Sequence, residues 1–117
     1  MKLSEIKEVL NCKCITGQDL LDEYEVDRAF GSDLMSDVLA FSDSNTLLLT
    51  GLINPQVIRT AEMMDITAIV FVRGKKPSEE TIQLAKETNK ILLCTPLILY
   101  TSCGILYANG LKGVCIE

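Results

Sequence analysis

The residues best suited to binding a charged ligand stand in short glycine-containing stretches between apolar runs. Arg73-Gly74-Lys75-Lys76 places three cations on a turn directly after the apolar run ITAIVFV. Thr50-Gly51-Leu52-Ile53-Asn54 is neutral and carries a hydroxyl and an amide. Cations and free backbone N–H groups are the donors that phosphate and carboxylate groups accept from. The candidate ligand-binding residues are Thr50, Gly51, Asn54, Arg73, Gly74, Lys75, Lys76 and Thr95. The alternative, that the basic turn only keeps a surface loop hydrated, stays open.

Few residues of the chain suit catalysis or metal binding. The sequence has no histidine, which is the commonest general base and a frequent metal ligand. Cys12 and Cys14 form a C-x-C pair, but Cys94, Cys103 and Cys115 are scattered in apolar contexts, unlike the paired motifs of zinc and iron–sulfur sites. We expect reduced, buried thiols, no metal, no cofactor and no enzymatic activity. Redox activity of the C-x-C pair stays open, and an enzyme would need Cys94 or Cys103 as its nucleophile.

The segment AFGSDLMSDVLAF, residues 29–41, has the pattern of a strand–glycine–helix junction, which holds a phosphate in many nucleotide-binding proteins. Here Asp33 and Asp37 stand at the helix start, where a phosphate would meet like charge. We therefore interpret Ser32 and Asp33 as a helix cap and a partner of the helix dipole. Neither G-x-x-x-x-G-K-[ST] nor G-x-G-x-x-G occurs in the sequence. P-loop kinases and dinucleotide-binding enzymes are therefore not indicated.

Composition indicates one acidic globular domain spanning residues 1–117. A chain of 117 residues with 48% hydrophobic content can build a single core. The net charge is −5, and residues 17–45 carry eight acids against one base, Arg28, so no nucleic-acid partner is expected. The sequence lacks a signal-peptide pattern and an apolar run of roughly 18 residues or more. We expect a cytoplasmic protein without a membrane partner.

Stretches typical of strands and of helices alternate along the chain and would position the candidate turns. Apolar runs predict strands at 12–16, 25–30, 46–50, 66–72 and 91–94. Capping residues and helical spacing predict helices at 4–10, 34–41 and 54–64, with two more starting near 76 and 95. This order predicts an α/β fold with three layers: a mostly parallel sheet of about four to five strands and helices on both faces. The tail 111–117 could form a short edge strand or a swapped arm.

In such a sheet the carboxyl ends of the parallel strands share one edge, and ligands bind beyond that edge. Each glycine-containing turn follows a predicted strand and leads into a predicted helix. The sequence therefore predicts that the candidate residues line a single pocket at this edge.

The chain also resembles a known family. The stretches AFGSDLMSDVLAF and LLLTGLINPQVIRTAEMMDITAIVFVRGKKPSEE, with the last strand and helix, resemble a stand-alone DRTGG domain over nearly the whole length. Similar domains lie beside CBS domains in regulated pyrophosphatases, within phosphotransacetylases and, more distantly, at the N-terminus of HPr kinase/phosphorylase. The residues that name the family differ here: Asn54-Pro55 replaces an Asp-Arg pair, and Arg73-Gly74-Lys75 replaces a Thr-Gly-Gly-like turn.

The resemblance implies a domain that pairs with a second copy, serves regulation or assembly, and carries no catalysis. Our first hypothesis is a non-catalytic regulatory homodimer that binds a small anionic effector, such as an adenine nucleotide, at the strand ends. Symmetric dimers are the commonest assembly, and a small domain this rich in hydrophobic residues has apolar surface available. The alternative is an interaction module that docks on a partner enzyme, in a hydrogenase-related context suggested by free-standing relatives. Its docking residues would lie on the last helix: Leu99, Tyr100, Leu106 and Tyr107.

Overall fold

A six-stranded sheet forms the centre of the computed structural model, which describes residues 1–115. The strands are β1 (Lys13–Thr16), β2 (Arg28–Gly31), β3 (Thr46–Thr50), β4 (Ala68–Phe71), β5 (Ile91–Cys94) and β6 (Lys112–Gly113). The helices are α1 (Leu3–Val9), α2 (Met35–Phe41), α3 (Pro55–Met63), α4 (Glu79–Glu87) and α5 (Leu99–Ala108), with a 3₁₀ turn at Gln18–Leu20. The strand order is β1-β5-β4-β3-β2-β6. β1 is antiparallel to β5, and every other neighbouring pair is parallel.

The predicted α/β class is confirmed. One strand more than expected is present because Lys112–Gly113 pairs with Arg28–Ala29. Two residues are too few to show a strand period in the sequence. Of the two forms considered for the tail, the described part takes the short edge strand; residues 116–117 lie outside the described residues.

Side chains of the central strands alternate between two apolar cores, one on each face of the sheet. Leu47 and Leu49 of β3 pack with α1 and α5, whereas Leu48 packs with α2, α3 and α4. All five residues of β3 and all four of β4 are buried. Burial on both faces explains why these strands are continuous apolar runs rather than alternating ones.

The helices change face between β4 and β5. The crossovers from β2 to β5 use α2, α3 and α4, which pack on one face, whereas α5 leaves β5 for the opposite face. The loops after β4 and β5 therefore diverge, and this divergence marks the position where open α/β sheets commonly bind ligands. We call the side of the sheet where β2 to β5 end the carboxyl edge.

Local sequence explains where the helices on this edge begin. Asn54 accepts a hydrogen bond from the Gln56 amide and Pro55 occupies the first turn, so α3 starts as predicted. Ser78 caps α4, which therefore starts three residues later than expected from the sequence. The last helix also starts later than predicted, at Leu99, because Thr95 forms a turn in which its hydroxyl accepts from the Leu97 amide.

Candidate functional site

A cavity of about 440 Å³ lies at the carboxyl end of β5, beside the turn that joins α1 to β1. Its lining residues are Asn11, Cys12, Lys13, Ile15, Gly74, Lys76, Cys94, Thr95 and Pro96. Small-molecule sites typically enclose about 300–1,000 Å³. The cavity is therefore large enough for a small metabolite, and it includes three of the eight predicted residues: Gly74, Lys76 and Thr95.

Hydrogen bonds between two loops shape one wall of the cavity. The Gly74 amide donates to the Thr95 carbonyl oxygen at 2.9 Å, and the Arg73 amide donates to the Leu97 carbonyl oxygen at 2.8 Å. Arg73 and Gly74 both have left-handed backbone, with φ of 64° and 66°, so the chain turns sharply after β4. The Cys94 Sγ donates to the Lys75 carbonyl oxygen at 2.7 Å. These contacts hold the basic turn against the end of β5.

The surroundings of the cavity are positively charged although the chain as a whole is acidic. Lys13 and Lys76 line it, and none of the described residues that line it is an acid. Within residues 1–115, neither lysine forms an ion pair. Burial raises the pKa of the Cys94 thiol, while Lys76 and Lys13 act in the opposite direction, which places both positive charges near this thiol. The cavity thus offers two uncommitted cations to a ligand.

The thiols at the cavity are poor nucleophiles. Burial is the main cause that raises the pKa of Cys12 from 9.0 to about 12, and it also raises the pKa of Cys14 and Cys94. Because the thiolate is the reactive form, these side chains act at neutral pH as small apolar groups. Cys103 is a similarly weak candidate, since burial raises its pKa as well.

A second polar cluster lies at the same carboxyl edge, at the ends of β2, β3 and β4. The Asp33 Oδ1 accepts from the Thr50 hydroxyl at 3.0 Å and from the Gly51 amide at 2.7 Å. A Cβ atom on Gly51 would lie 2.5 Å from the Arg73 Nη2, so the guanidinium packs directly over this glycine. We call Asp33, Thr50, Gly51 and Arg73 the Asp33 cluster.

The interpretation of Asp33 as a helix cap is wrong. Leu34 occupies the N-cap position of α2 without a side-chain cap, and Ser32 Oγ accepts from the Leu34 amide at 3.0 Å. Asp33 instead joins the loop after β2 to the loop after β3. Its partners are 17 and 18 positions away in the sequence, and local capping patterns could not indicate them.

The candidate residues therefore share one edge of the sheet but do not line one pocket. Thr50, Gly51 and Arg73 belong to the Asp33 cluster, and Asn54 caps α3. Lys75 contributes its carbonyl oxygen to the Cys94 contact. The cavity also contains Asn11 and Lys13, which no motif or spacing in the sequence indicates.

The four residues of the last helix that the sequence suggests for docking differ in their exposure to solvent. Leu106 is buried and Leu99 is partly buried against the core beneath α5. Tyr100 is 87% exposed and Tyr107 is also exposed, with the Lys112 Nζ 4.2 Å from its ring centroid. These four side chains do not form one docking face.

Within residues 1–115, no group of three or more cysteine or carboxylate side chains is arranged to hold a metal ion. No helix in that part of the chain combines the length and apolar character needed to cross a membrane.

The sequence matches no family model and no curated protein. Among solved structures, the chain is similar to the crystal structure of the CBS and DRTGG domains of the regulatory region of Clostridium perfringens pyrophosphatase, complexed with its activator diadenosine tetraphosphate. The TM-score is 0.68 at 14% sequence identity, over 90% of this chain and 45% of that chain. The chain shares its fold with part of that structure. At this identity the likeness concerns the fold alone, and the chain spans less than half the length of the structure that it matches.

Proposed function

We propose that the chain is a DRTGG-like, non-catalytic regulatory domain that binds a small anionic ligand in the cavity at the carboxyl end of β5. The observation that carries this proposal is the pair of uncommitted lysines, Lys13 and Lys76, on a cavity that no acid among residues 1–115 lines. Its position at the carboxyl end of β5, where the following helix changes face, supports it. The similar solved structure is a regulatory region complexed with an adenine dinucleotide, which makes adenine nucleotides the first ligands to test.

The walls of the cavity fit a ligand that has both an anionic and an apolar part. The ammonium groups of Lys13 and Lys76 would donate to phosphate or carboxylate oxygens. Ile15 and Pro96 would contact the apolar part, together with the protonated thiol of Cys94. A ligand held in this way would link the turn before β1 to the loops after β4 and β5. Regulation would follow because the ligand would bridge these three segments and restrain their relative motion.

A thermal-shift and calorimetric titration tests the ligand. The probes are AMP, ADP, ATP, diadenosine tetraphosphate and inorganic phosphate. A ligand at 100 times its dissociation constant should stabilise the fold by about 2.7 kcal/mol. The double variant Lys13→Gln/Lys76→Gln should lower the affinity at least tenfold.

The matched control is Lys86→Gln/Lys112→Gln, which removes the same charge from α4 and β6, away from the cavity. It should bind like the wild type. A screen in which no probe raises the melting temperature would reject the ligand, and an equal loss in both double variants would show that the lysines act only through net charge.

The regulatory proposal includes a homodimer, since symmetric pairs are the commonest assembly of small domains. Light scattering coupled to gel filtration should give the mass of two chains at micromolar concentration. A monomeric mass under these conditions would contradict the dimer and leave the ligand proposal unchanged.

A further inference from the structure

Helix α2 exposes apolar side chains on one flank and packs the other side against the sheet. Met35 and Val38 are buried in the core, whereas Leu34 is 58% exposed and Phe41 is 42% exposed. Asp37 lies four positions before Phe41 on one row of the helix surface, and Leu34 is the N-cap that precedes the helix. Large apolar groups exposed together on a small domain commonly mark an interaction surface.

The apolar row continues onto the edge of the sheet. The ring centroids of Phe30 in β2 and Phe41 lie 6.4 Å apart. β6 pairs only with Arg28 and Ala29, so within residues 1–115 no strand covers that side of β2 at Phe30 and Gly31. We call Phe30, Asp33, Leu34, Asp37 and Phe41 the α2 surface.

The charges around this surface select the kind of partner. Residues 29–45, which include α2 and its flanking loops, contain three acids and no base. Arg28, just before them, is held by Asp43 at 2.7 Å, so it does not neutralise Asp37. A second copy of the chain would bring like charges together, and an anionic lipid surface would also be repelled. A basic partner would be attracted.

We propose that the α2 surface docks a short basic amphipathic segment of another protein. Leu34 and Phe41 would receive its apolar side chains, and its lysines or arginines would pair with Asp37, whose carboxylate makes no hydrogen bond or ion pair within residues 1–115. Helix-on-helix docking of this kind relies on a few apolar anchors, with charges setting the partner and the orientation. The α2 surface is separated from the cavity by β3 and β4, so this inference does not depend on the ligand.

Titration of ¹⁵N-labelled protein with a defined peptide tests the inference. The probe is a synthetic 15-residue helix of leucine and lysine with the leucines on one face; the control peptide carries glutamate in place of lysine. The basic peptide should bind at micromolar concentration and shift resonances of residues 30–41. Leu34→Ser/Phe41→Ser and Asp37→Lys should each weaken binding at least tenfold.

Tyr100→Ser is the matched control variant, since it removes an 87% exposed aromatic side chain from another helix. It should bind as the wild type does. Asp37→Lys keeps every apolar atom of the surface and so separates the charge effect from any folding defect of the serine variant. Equal binding of both peptides, or shifts that centre on α5, would overturn the proposal. A dimer that dissociates on Phe41→Ser would also overturn it, because a second copy would then occupy the surface.

Discussion

The Asp33 cluster and the cavity lie at the same edge of one sheet, and both contain glycine-bearing turns. In the Asp33 cluster the polar groups satisfy one another, since one carboxylate oxygen accepts from both Thr50 and Gly51. In the cavity, Lys13 and Lys76 form no ion pair within residues 1–115 and line open space. A turn with suitable residues becomes a candidate ligand site only where its donors remain unused.

Topology accounts for this difference. The loops after β2 and β3 lead into α2 and α3 on the same face, so they run side by side and can bond to each other. The loops after β4 and β5 also bond to each other but lead to opposite faces, and the crevice lies between them and the turn before β1. The Asp33 cluster therefore stabilises the fold, and the cavity is available for binding.

The largest expected effect on stability is that of Asp33→Ala, which tests whether the Asp33 cluster stabilises the fold. The change leaves the hydroxyl proton of Thr50 and the amide of Gly51 unpaired, and both residues are buried. Hydrogen bonds to a charged group contribute about 1.5–3 kcal/mol each, so the free energy of unfolding should fall by about 2–4 kcal/mol in a urea titration.

Asp37→Ala is the control for Asp33→Ala, because its carboxylate makes no hydrogen bond or ion pair in the described structure. It should change stability by less than about 0.5 kcal/mol. Equal effects of the two substitutions would indicate general relief of negative charge and would remove the distinction between cluster and cavity.

Thr95→Val tests a residue that lines the cavity but is bonded within the fold. Thr95 is 1% exposed, and its hydroxyl donates to the Leu10 carbonyl oxygen at 2.6 Å. Valine keeps the shape but leaves that carbonyl unpaired, so stability should fall by about 1–3 kcal/mol. Thr95→Ser, which retains the hydroxyl, should lose less. If Thr95→Val instead kept its stability and lost ligand affinity, the hydroxyl would be a binding group.

Ionisation of the Cys12 thiol should lower the free energy of unfolding at alkaline pH. Its pKa is raised by burial from 9.0 to about 12, so the folded thiol keeps its proton where the unfolded thiol has lost it. The stabilising contribution is complete below pH 9 and is lost as the pH rises toward 12, at about 1.4 kcal/mol per pH unit. In urea titrations between pH 9 and 11, Cys12→Ala should show a shallower decline than the wild type. Parallel slopes would show that Cys12 ionises in the folded state as readily as in the unfolded one.

The strands β3, β4 and β5 could be predicted because burial on both faces produces continuous apolar runs. The start of α3 could be predicted because Asn54-Pro55 carries its own capping chemistry. Asn11 and Lys13 could not be placed at the site, because they reach it only through the antiparallel pairing of β1 with β5. Asp33 was misassigned for a related reason: both of its partners lie in a loop that is distant in sequence.

The smallest expected effect distinguishes two of the three cations of the basic turn, Arg73 and Lys76. Arg73 has left-handed backbone, which costs an ordinary residue about 1–2 kcal/mol, and Arg73→Gly removes this cost. Glycine also has more conformational freedom in the unfolded chain, which lowers stability and offsets the gain. The net change in stability should stay within about 1 kcal/mol. Because the guanidinium packs over Gly51 and not in the cavity, affinity for the best nucleotide probe should change less than twofold. Lys76→Gln should weaken that affinity several-fold under the same conditions. If Arg73→Gly weakened it as much, the ligand would reach across both regions, and the Asp33 cluster would belong to the binding site after all.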